Sequence, residues 1–220
     1  MANLIYGIDA GRVADNVAHV REEIATAAAL AGRDASDVAL LAAVKYVPLE
    51  ELGKLAEAGL TLLGENRAQD LEAKAAAYPG TFSWHFIGQL QSRKVKQILP
   101  WVELIQSVAS DSALRQLERH GTPDTEILVE VNVAGEESKA GIAPGELGAF
   151  IARCPVKVAG LMTMPPYAPE PEASRPAFAR LRELAAEHGL HHLSMGTSQD
   201  YAVAVEEGAT IVRVGSTLFA

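Results

Sequence analysis

Eight short apolar runs, each followed by a polar or glycine break and a stretch of helical periodicity, set the beat of this sequence. The runs are VALLAAV (38–44), LTLL (60–63), FSWHFI (82–87), WVELI (101–105), EILVEVNV (126–133), VKVAGLM (156–162), HHLSM (191–195) and TIVRVG (210–215). Helical patterns fill the gaps near 49–58, 65–78, 90–99, 111–120, 144–152, 173–188 and 199–207. Strands that alternate with helices make right-handed βαβ units, because parallel neighbours need a crossover long enough to return to the same edge. Eight such units predict a single closed (β/α)8 barrel of the TIM type. An open doubly wound sheet is the alternative, but the first strand-to-helix turn reads KYVPLEEL and lacks a Gly-rich dinucleotide fingerprint.

Ahead of the first strand, Val13, Val17, Val20 and Ile24, extended by Ala27, Ala28 and Ala31, recur at helical spacing, and Gly32 stands where a C-terminal cap belongs. Residues 1–36 therefore read as the leading helix and linker of one domain spanning 1–220. With 49% hydrophobic and 21% charged residues, a chain of 220 residues can bury a full core. A minimal barrel uses about 200 residues, which leaves little room for a second domain. The Pro-dense stretch 164–176 is too short and too near the C-terminus to divide the chain.

Nineteen basic and 28 acidic residues give a formal charge of −9, which disfavours phosphate backbones and anionic lipid, so no nucleic-acid partner is expected. The N-terminus lacks a basic region followed by an apolar stretch, and no window approaches the roughly 18 apolar residues of a span, so no membrane partner is expected. The lone Cys154 can make neither an internal disulfide nor a CxxC site; it reads as a buried small residue and suits a reducing cytoplasm. His191 and His192 point to opposite faces of one strand without a Cys or carboxylate cluster, and no metal is expected.

Functional groups of such a barrel gather at the C-terminal ends of its strands. Strand one ends at Lys45, followed by Tyr46, Val47 and Pro48. An amine there loses hydration unless it is paired, neutralised or able to reach water. It either snorkels from the rim or serves as a desolvated amine that forms a Schiff base with a carbonyl compound. Strand eight runs into Arg213, Gly215, Ser216 and Thr217, and strand seven into Ser194, Met195, Gly196, Thr197 and Ser198, where Ser198 is placed to cap the next helix. Phosphate often binds at the loops after strands seven and eight. One ligand carrying both an aldehyde and a phosphate satisfies both ends, and pyridoxal 5′-phosphate fits. Arg213 would then lie near the pyridine nitrogen and disfavour ring protonation, its other reading being a salt bridge inside the rim. A Schiff-base aldolase acting on a sugar phosphate would be served almost as well.

The segments AVKYVP, LGENRAQD, WHFIGQLQSRK, EVNVAGEESKAGI, GLMTMPP, LSMGTSQD and IVRVGSTLF follow one another in this order across most of the chain. Together they resemble the pyridoxal phosphate homeostasis proteins, also called the YggS or PROSC family. The resemblance implies an alanine-racemase-like barrel without the C-terminal β-domain, holding pyridoxal 5′-phosphate as an internal aldimine on Lys45. It also implies that Asn66 lies beside the cofactor, that Met195 and Ser198 line the phosphate end, that Arg213 faces the ring nitrogen, and that the Gly215 and Ser216 amides hold phosphate. The sequence departs from the family pattern at Ser216, where Thr is common, at Thr197, where Met is frequent, and at Arg93, where Asn is common. Ser216 keeps a hydroxyl and an N–H, so phosphate binding is expected to survive. His85 reads as a core histidine ahead of a ring contact. Lys139 reads as a solvated loop lysine, its sharper reading being a group that delivers or accepts cofactor.

An Arg facing the ring nitrogen weakens the cofactor as an electron sink. Related racemases tolerate that pairing but take a second acid/base Tyr from a C-terminal β-domain, so here a residue such as Tyr46 would have to replace it. The expected function is storage, buffering or transfer of pyridoxal phosphate in vitamin B6 homeostasis, with no catalytic residue assigned and apo forms of dependent enzymes as recipients. A compact racemase or decarboxylase of amino acids is the alternative. A lone barrel need not dimerise, and a monomer is expected.

Overall fold

The computed structural model describes residues 4–135 and 140–219. The leading helix α1 (Ala10–Leu30) buries Val13, Val17, Val20, Ile24, Ala27 and Ala28 along one stripe, and the Asp9 carboxylate caps it by accepting from the Arg12 N–H at 2.8 Å. At its far end Gly32 takes φ +67° and the Arg33 N–H returns to the Ala28 carbonyl at 2.9 Å, the left-handed termination expected of a glycine there. Then follow β1 (Ala39–Ala43), α2 (Leu52–Glu57), β2 (Leu62–Glu65), α3 (Ala68–Ala77), β3 (Ser83–Phe86), α4 (Val95–Ile98), β4 (Leu104–Val108) and α5 (Asp111–His120). The second half runs β5 (Glu126–Glu130), α6 (Leu147–Ile151), β6 (Lys157–Met162), α7 (Arg175–Glu187), β7 (His192–Thr197), α8 (Tyr201–Glu206), β8 (Ile211–Val214) and a last helical turn, α9 (Ser216–Phe219).

All eight strands are parallel and follow sequence order round a closed barrel, β8 pairing back onto β1 from Ala39↔Ile211 to Ala42↔Val214. The closed form of the expected βαβ series is therefore the one adopted. Boundaries differ where proline intervenes. Pro100 starts a tight 3-10 turn over Leu99–Trp101, so β4 begins at Leu104 rather than at Trp101. Similar turns at Pro144–Glu146 and Pro171–Ser174 open α6 and α7 and shorten them.

Alternation along the strands divides the core in two. Val44, Leu63, Ile105, Val129, Leu161 and Val212 face outward and pack with Val17, Leu71, Leu117 and Phe178 from the helices. Leu41, Leu104, Leu128, Ala159, Met162 and Ile211 fill the bore. Two residues further along three of these strands stand Gln106, Glu130 and Arg213, so the bore turns polar toward the strand ends. The leading helix leans on α8 and α9, and the Asn16 amide donates to the Leu218 carbonyl at 3.2 Å. Cys154 is half-buried rather than buried; its thiol donates to the Phe150 carbonyl at 3.4 Å, and burial pushes its pKa up to about 11. Among the described residues no helix is long and apolar enough to cross a membrane.

Candidate functional site

Arg213 points into the bore from β8 and is buried. Its Nη1 donates to Ser194 Oγ at 2.5 Å and its Nη2 to the Thr163 carbonyl at 2.9 Å. The Ser194 hydroxyl in turn donates to Gln106 Oε1 at 2.6 Å, and Gln106 Nε2 lies 2.8 Å from His85 Nδ1. An amide nitrogen can only donate, so His85 Nδ1 accepts and the ring carries its proton on Nε2. A polar chain thus crosses the bore from β8 through β7 and β4 to β3. Burial lowers the His85 pKa to about 4, with His192 adding to the effect, so the ring is neutral at pH 7. Burial also lowers Arg213 to about 10 against the pull of the Glu130 and Asp200 carboxylates, and it stays a cation. Burial raises Glu130 above the usual carboxylate range, with Arg213 opposing.

The turn after β7 depends on Gly196, whose φ is +87° and where a Cβ would stand 2.6 Å from Ala204 Cβ and 2.9 Å from Tyr201 Cα. It delivers Ser198 to the end of β8, where Ser198 Oγ accepts from the Gly215 N–H at 3.0 Å and, more loosely, from the Thr217 N–H at 3.5 Å. Ser198 does not cap the next helix. Asp200 occupies the cap position of α8, and its carboxylate locks the turn by accepting from the Thr197 N–H at 2.7 Å and the Ser174 hydroxyl at 2.8 Å. Ser216 is the exposed first residue of α9. Gly215 lies against β1, since a Cβ on it would meet the Ala43 carbonyl at 3.1 Å. Two main-chain N–H groups converging on one oxygen suit an anion.

Lys45 follows Ala43 by two residues, in the exposed turn that leaves β1. Its ammonium stands 4.9 Å from the centroid of the Tyr46 ring. The residue lines a cavity of about 410 Å³ together with Arg67, Asp70 and Lys74. Asn66 follows the last residue of β2, and its amide oxygen is buried without a partner among the described residues. It also lines a cavity of about 550 Å³ shared with Arg67, Arg93 and Lys94. Across the mouth, Glu130, Asn132, Ser107 and Thr163 border a third cavity of about 350 Å³.

The structure sets the Gly215 turn against Ala43 at the end of β1, with Ser198 bonded to it and Arg213 in the bore below. The Lys45 side chain lines the cavity with Arg67, Asp70 and Lys74 instead, and Asn66 stands on the adjoining strand end, since Ala43 pairs with Gly64. The Met195 side chain does not join them. It is buried in the apolar layer between strands and helices, because alternation along β7 turns Ser194 inward instead; any contact at the phosphate end falls to its main chain. Lys139 lies outside the described residues. No group of three or more His, Cys, Asp or Glu suited to a metal occurs among the described residues. Sequence reasoning missed Gln106, Glu65 and Lys74, and named Ser194 at the end of strand seven without assigning it a role. Gln106 had a signal, being a polar residue at an inward position of an apolar strand. So did Lys74, which falls on the buried stripe Ala68, Leu71 and Ala75 of α3.

Residues 8–220 match the family described as alanine racemase, N-terminal domain. A pyridoxal phosphate homeostasis protein of Aquifex aeolicus is 42% identical over 219 residues, covering 93% of this chain and 96% of that one. Its counterpart in Pseudomonas aeruginosa is 39% identical over 217 residues, covering 94% of each. PipY of Synechococcus elongatus, solved with PLP bound, superposes with a TM-score of 0.79 at 30% identity and covers 94% of this chain and 100% of that one. Likeness of this breadth spans the barrel and its rim together: the chain belongs to the family of pyridoxal phosphate homeostasis proteins and carries the alanine racemase N-terminal domain.

Proposed function

We propose that this protein binds pyridoxal 5′-phosphate through the amine of Lys45 and stores, buffers or hands on the cofactor. The observation that carries the reading is the meeting of the Gly215 and Thr217 N–H groups on one oxygen beside Ala43, two residues from that amine. The rim fits such a ligand. Ser198 Oγ already receives the N–H groups that a phosphate oxygen would receive, and the neighbouring Ser216 offers a further N–H and a hydroxyl. The Asn66 amide oxygen, buried without a partner among the described residues, is open to a donor.

When bound, the cofactor supplies an aldehyde with which a primary amine condenses reversibly, and a ring able to draw electrons from the attached carbon. Lys45 supplies the amine. Ser198, Gly215 and Ser216 hold the phosphate, with the Met195 main chain behind them. Arg213 faces the ring nitrogen as a cation and keeps a proton off it, which weakens the electron draw. That balance suits sequestering a reactive aldehyde better than turning over an amino acid, in keeping with the homeostasis role for which the curated relatives are named. The reading has one barrel domain acting as a monomer in a reducing cytoplasm, with apo-enzymes that need the cofactor as recipients.

Borohydride reduction of the protein after incubation with pyridoxal 5′-phosphate, followed by peptide mapping, tests the reading. A pyridoxyl group fixed on Lys45 is expected. Lys45→Ala should lose the adduct and the yellow colour while keeping weaker, phosphate-dependent association. An adduct that persists undiminished in Lys45→Ala, or one that forms only with a sugar phosphate, would overturn it. Transfer of cofactor to an apo-enzyme, set beside a panel of D- and L-amino acids, separates carrier from enzyme.

A further inference from the structure

Behind the rim, between β1, β2 and α3, lies an ion pair that the cofactor site as described does not use. Glu65, the last residue of β2, is 0% exposed and Lys74 in α3 is 5% exposed, with Lys74 Nζ 2.5 Å from Glu65 Oε2. Burying two ions costs roughly several kcal/mol each, and apolar side chains of similar size would fill the space without that cost. The remaining bonds of the pair indicate its use. Lys74 Nζ donates to the Val44 carbonyl at 2.9 Å, the carbonyl of the peptide that leads into Lys45. Glu65 Oε1 accepts from the Asn66 N–H at 2.7 Å and from the Arg67 N–H at 3.3 Å. The Val44 carbonyl also accepts from the Val47 N–H at 3.0 Å, and the Val44 N–H donates to the Gly64 carbonyl at 2.9 Å. The approach to Lys45 is therefore held at both peptide groups of Val44, and one of those holds is tied through a single buried pair to the backbone of Asn66.

We propose that Glu65 and Lys74 are positioning residues that fix the root of the Lys45 side chain relative to Asn66, so that the amine meets the cofactor aldehyde in a set orientation. The proposal rests on the reading of Lys45 given above. Neither residue is among the groups assigned above to hold the cofactor. A lysine carries a long, rotamer-rich stem, so the advantage of a nearby amine over one in solution depends on how firmly its backbone anchor is held. Among the described residues the phosphate cup at β7 and β8 makes no hydrogen bond to this pair, so its grip is independent of it.

The test compares pyridoxal 5′-phosphate with pyridoxine 5′-phosphate, which keeps ring and phosphate but has an alcohol where the aldehyde stands. The full chain carrying Glu65→Gln together with Lys74→Met removes both charges at once and leaves no lone buried ion, the condition under which such a site still folds. It is expected to bind pyridoxal 5′-phosphate about tenfold more weakly, the size of losing one hydrogen bond to a charged group. The borohydride-fixed fraction on Lys45 should fall with it, while affinity for pyridoxine 5′-phosphate stays within about twofold. In the same Glu65→Gln background, Lys74→Gln keeps a donor for the Val44 carbonyl and should recover part of the loss. Equal weakening toward both ligands, unweakened binding of the aldehyde, or no difference between Gln and Met at position 74 would each overturn the proposal. A wild-type protein that fixes no pyridoxyl group on Lys45 would overturn both readings, whereas a fixed wild type beside an unaffected double variant would overturn the positioning role alone.

Discussion

At the scale of single residues, the His85 ring shows surroundings setting chemistry. It is buried in the bore with Gln106 Nε2 2.8 Å from its Nδ1, and burial brings its pKa to about 4, whereas an unperturbed histidine titrates near 6.5. As pH falls through this interval the unfolded chain binds a proton that the folded chain refuses. Folding stability therefore drops from about pH 6.5 down to about pH 4 and levels off below, a loss on the order of 3 kcal/mol. Glu130, whose carboxyl burial raises, acts in the opposite sense, so the test must isolate the histidine. His85→Gln keeps an acceptor for Gln106 and has nothing to titrate. The stability difference between wild type and variant, read from urea denaturation between pH 7.5 and 3.5, should shift by about that amount across the interval. A difference that stays flat with pH would mean that the ring gains its proton as readily folded as unfolded.

At the scale of elements, the turn joining β7 to α8 links chain conformation to the anion cup. Gly196→Ala would place a side chain at φ +87° and drive its Cβ to 2.6 Å from Ala204 of α8. A left-handed non-glycine residue and an overfilled contact together cost roughly 2–5 kcal/mol. Relief would move Ser198, so the variant should lose phosphate-dependent affinity as well as thermal stability; calorimetry and titration with pyridoxine 5′-phosphate read the two separately. Such a turn was legible in the sequence, because a glycine near the end of an apolar run and just ahead of a hydroxyl-rich segment announces special backbone. The strands were legible for the same kind of reason: eight compact apolar runs leave no other use for themselves. What stayed hidden was long-range. Glu65 reads locally as the start of a helix, yet it ends β2, because a buried partner nine positions on holds its carboxylate. Ser198 reads locally as a helix cap, yet its hydroxyl serves β8, whose end stands beside it only once β8 has paired with β7. Met195 reads as part of a site motif, yet strand alternation sends its side chain away from the mouth.

At the scale of the whole molecule, the bore divides along its axis into a floor and a working rim. Leu41, Leu104, Leu128, Ala159 and Ile211 make an apolar floor, and Gln106 and Arg213, two residues beyond Leu104 and Ile211, join Ser194 and His85 in a polar chain that makes a ceiling to it. If floor and rim are separable, stability and ligand affinity should respond to different substitutions. Leu128→Ala empties a fully enclosed position and should cost roughly 2–5 kcal/mol, with pyridoxal 5′-phosphate affinity unchanged within about twofold. Gln106→Leu fills nearly the same volume but strands the Ser194 hydroxyl and His85 Nδ1, at a cost of about 1–3 kcal/mol. It also slackens the support on Arg213 Nη1, so the visible absorption of the loaded protein should shift and its affinity fall further than its stability would suggest. Denaturation midpoints and cofactor titrations on both variants decide the matter. Affinity that tracked stability along one common line for the two substitutions would mean that the barrel deforms as a single body, with no mechanical boundary between its floor and its site.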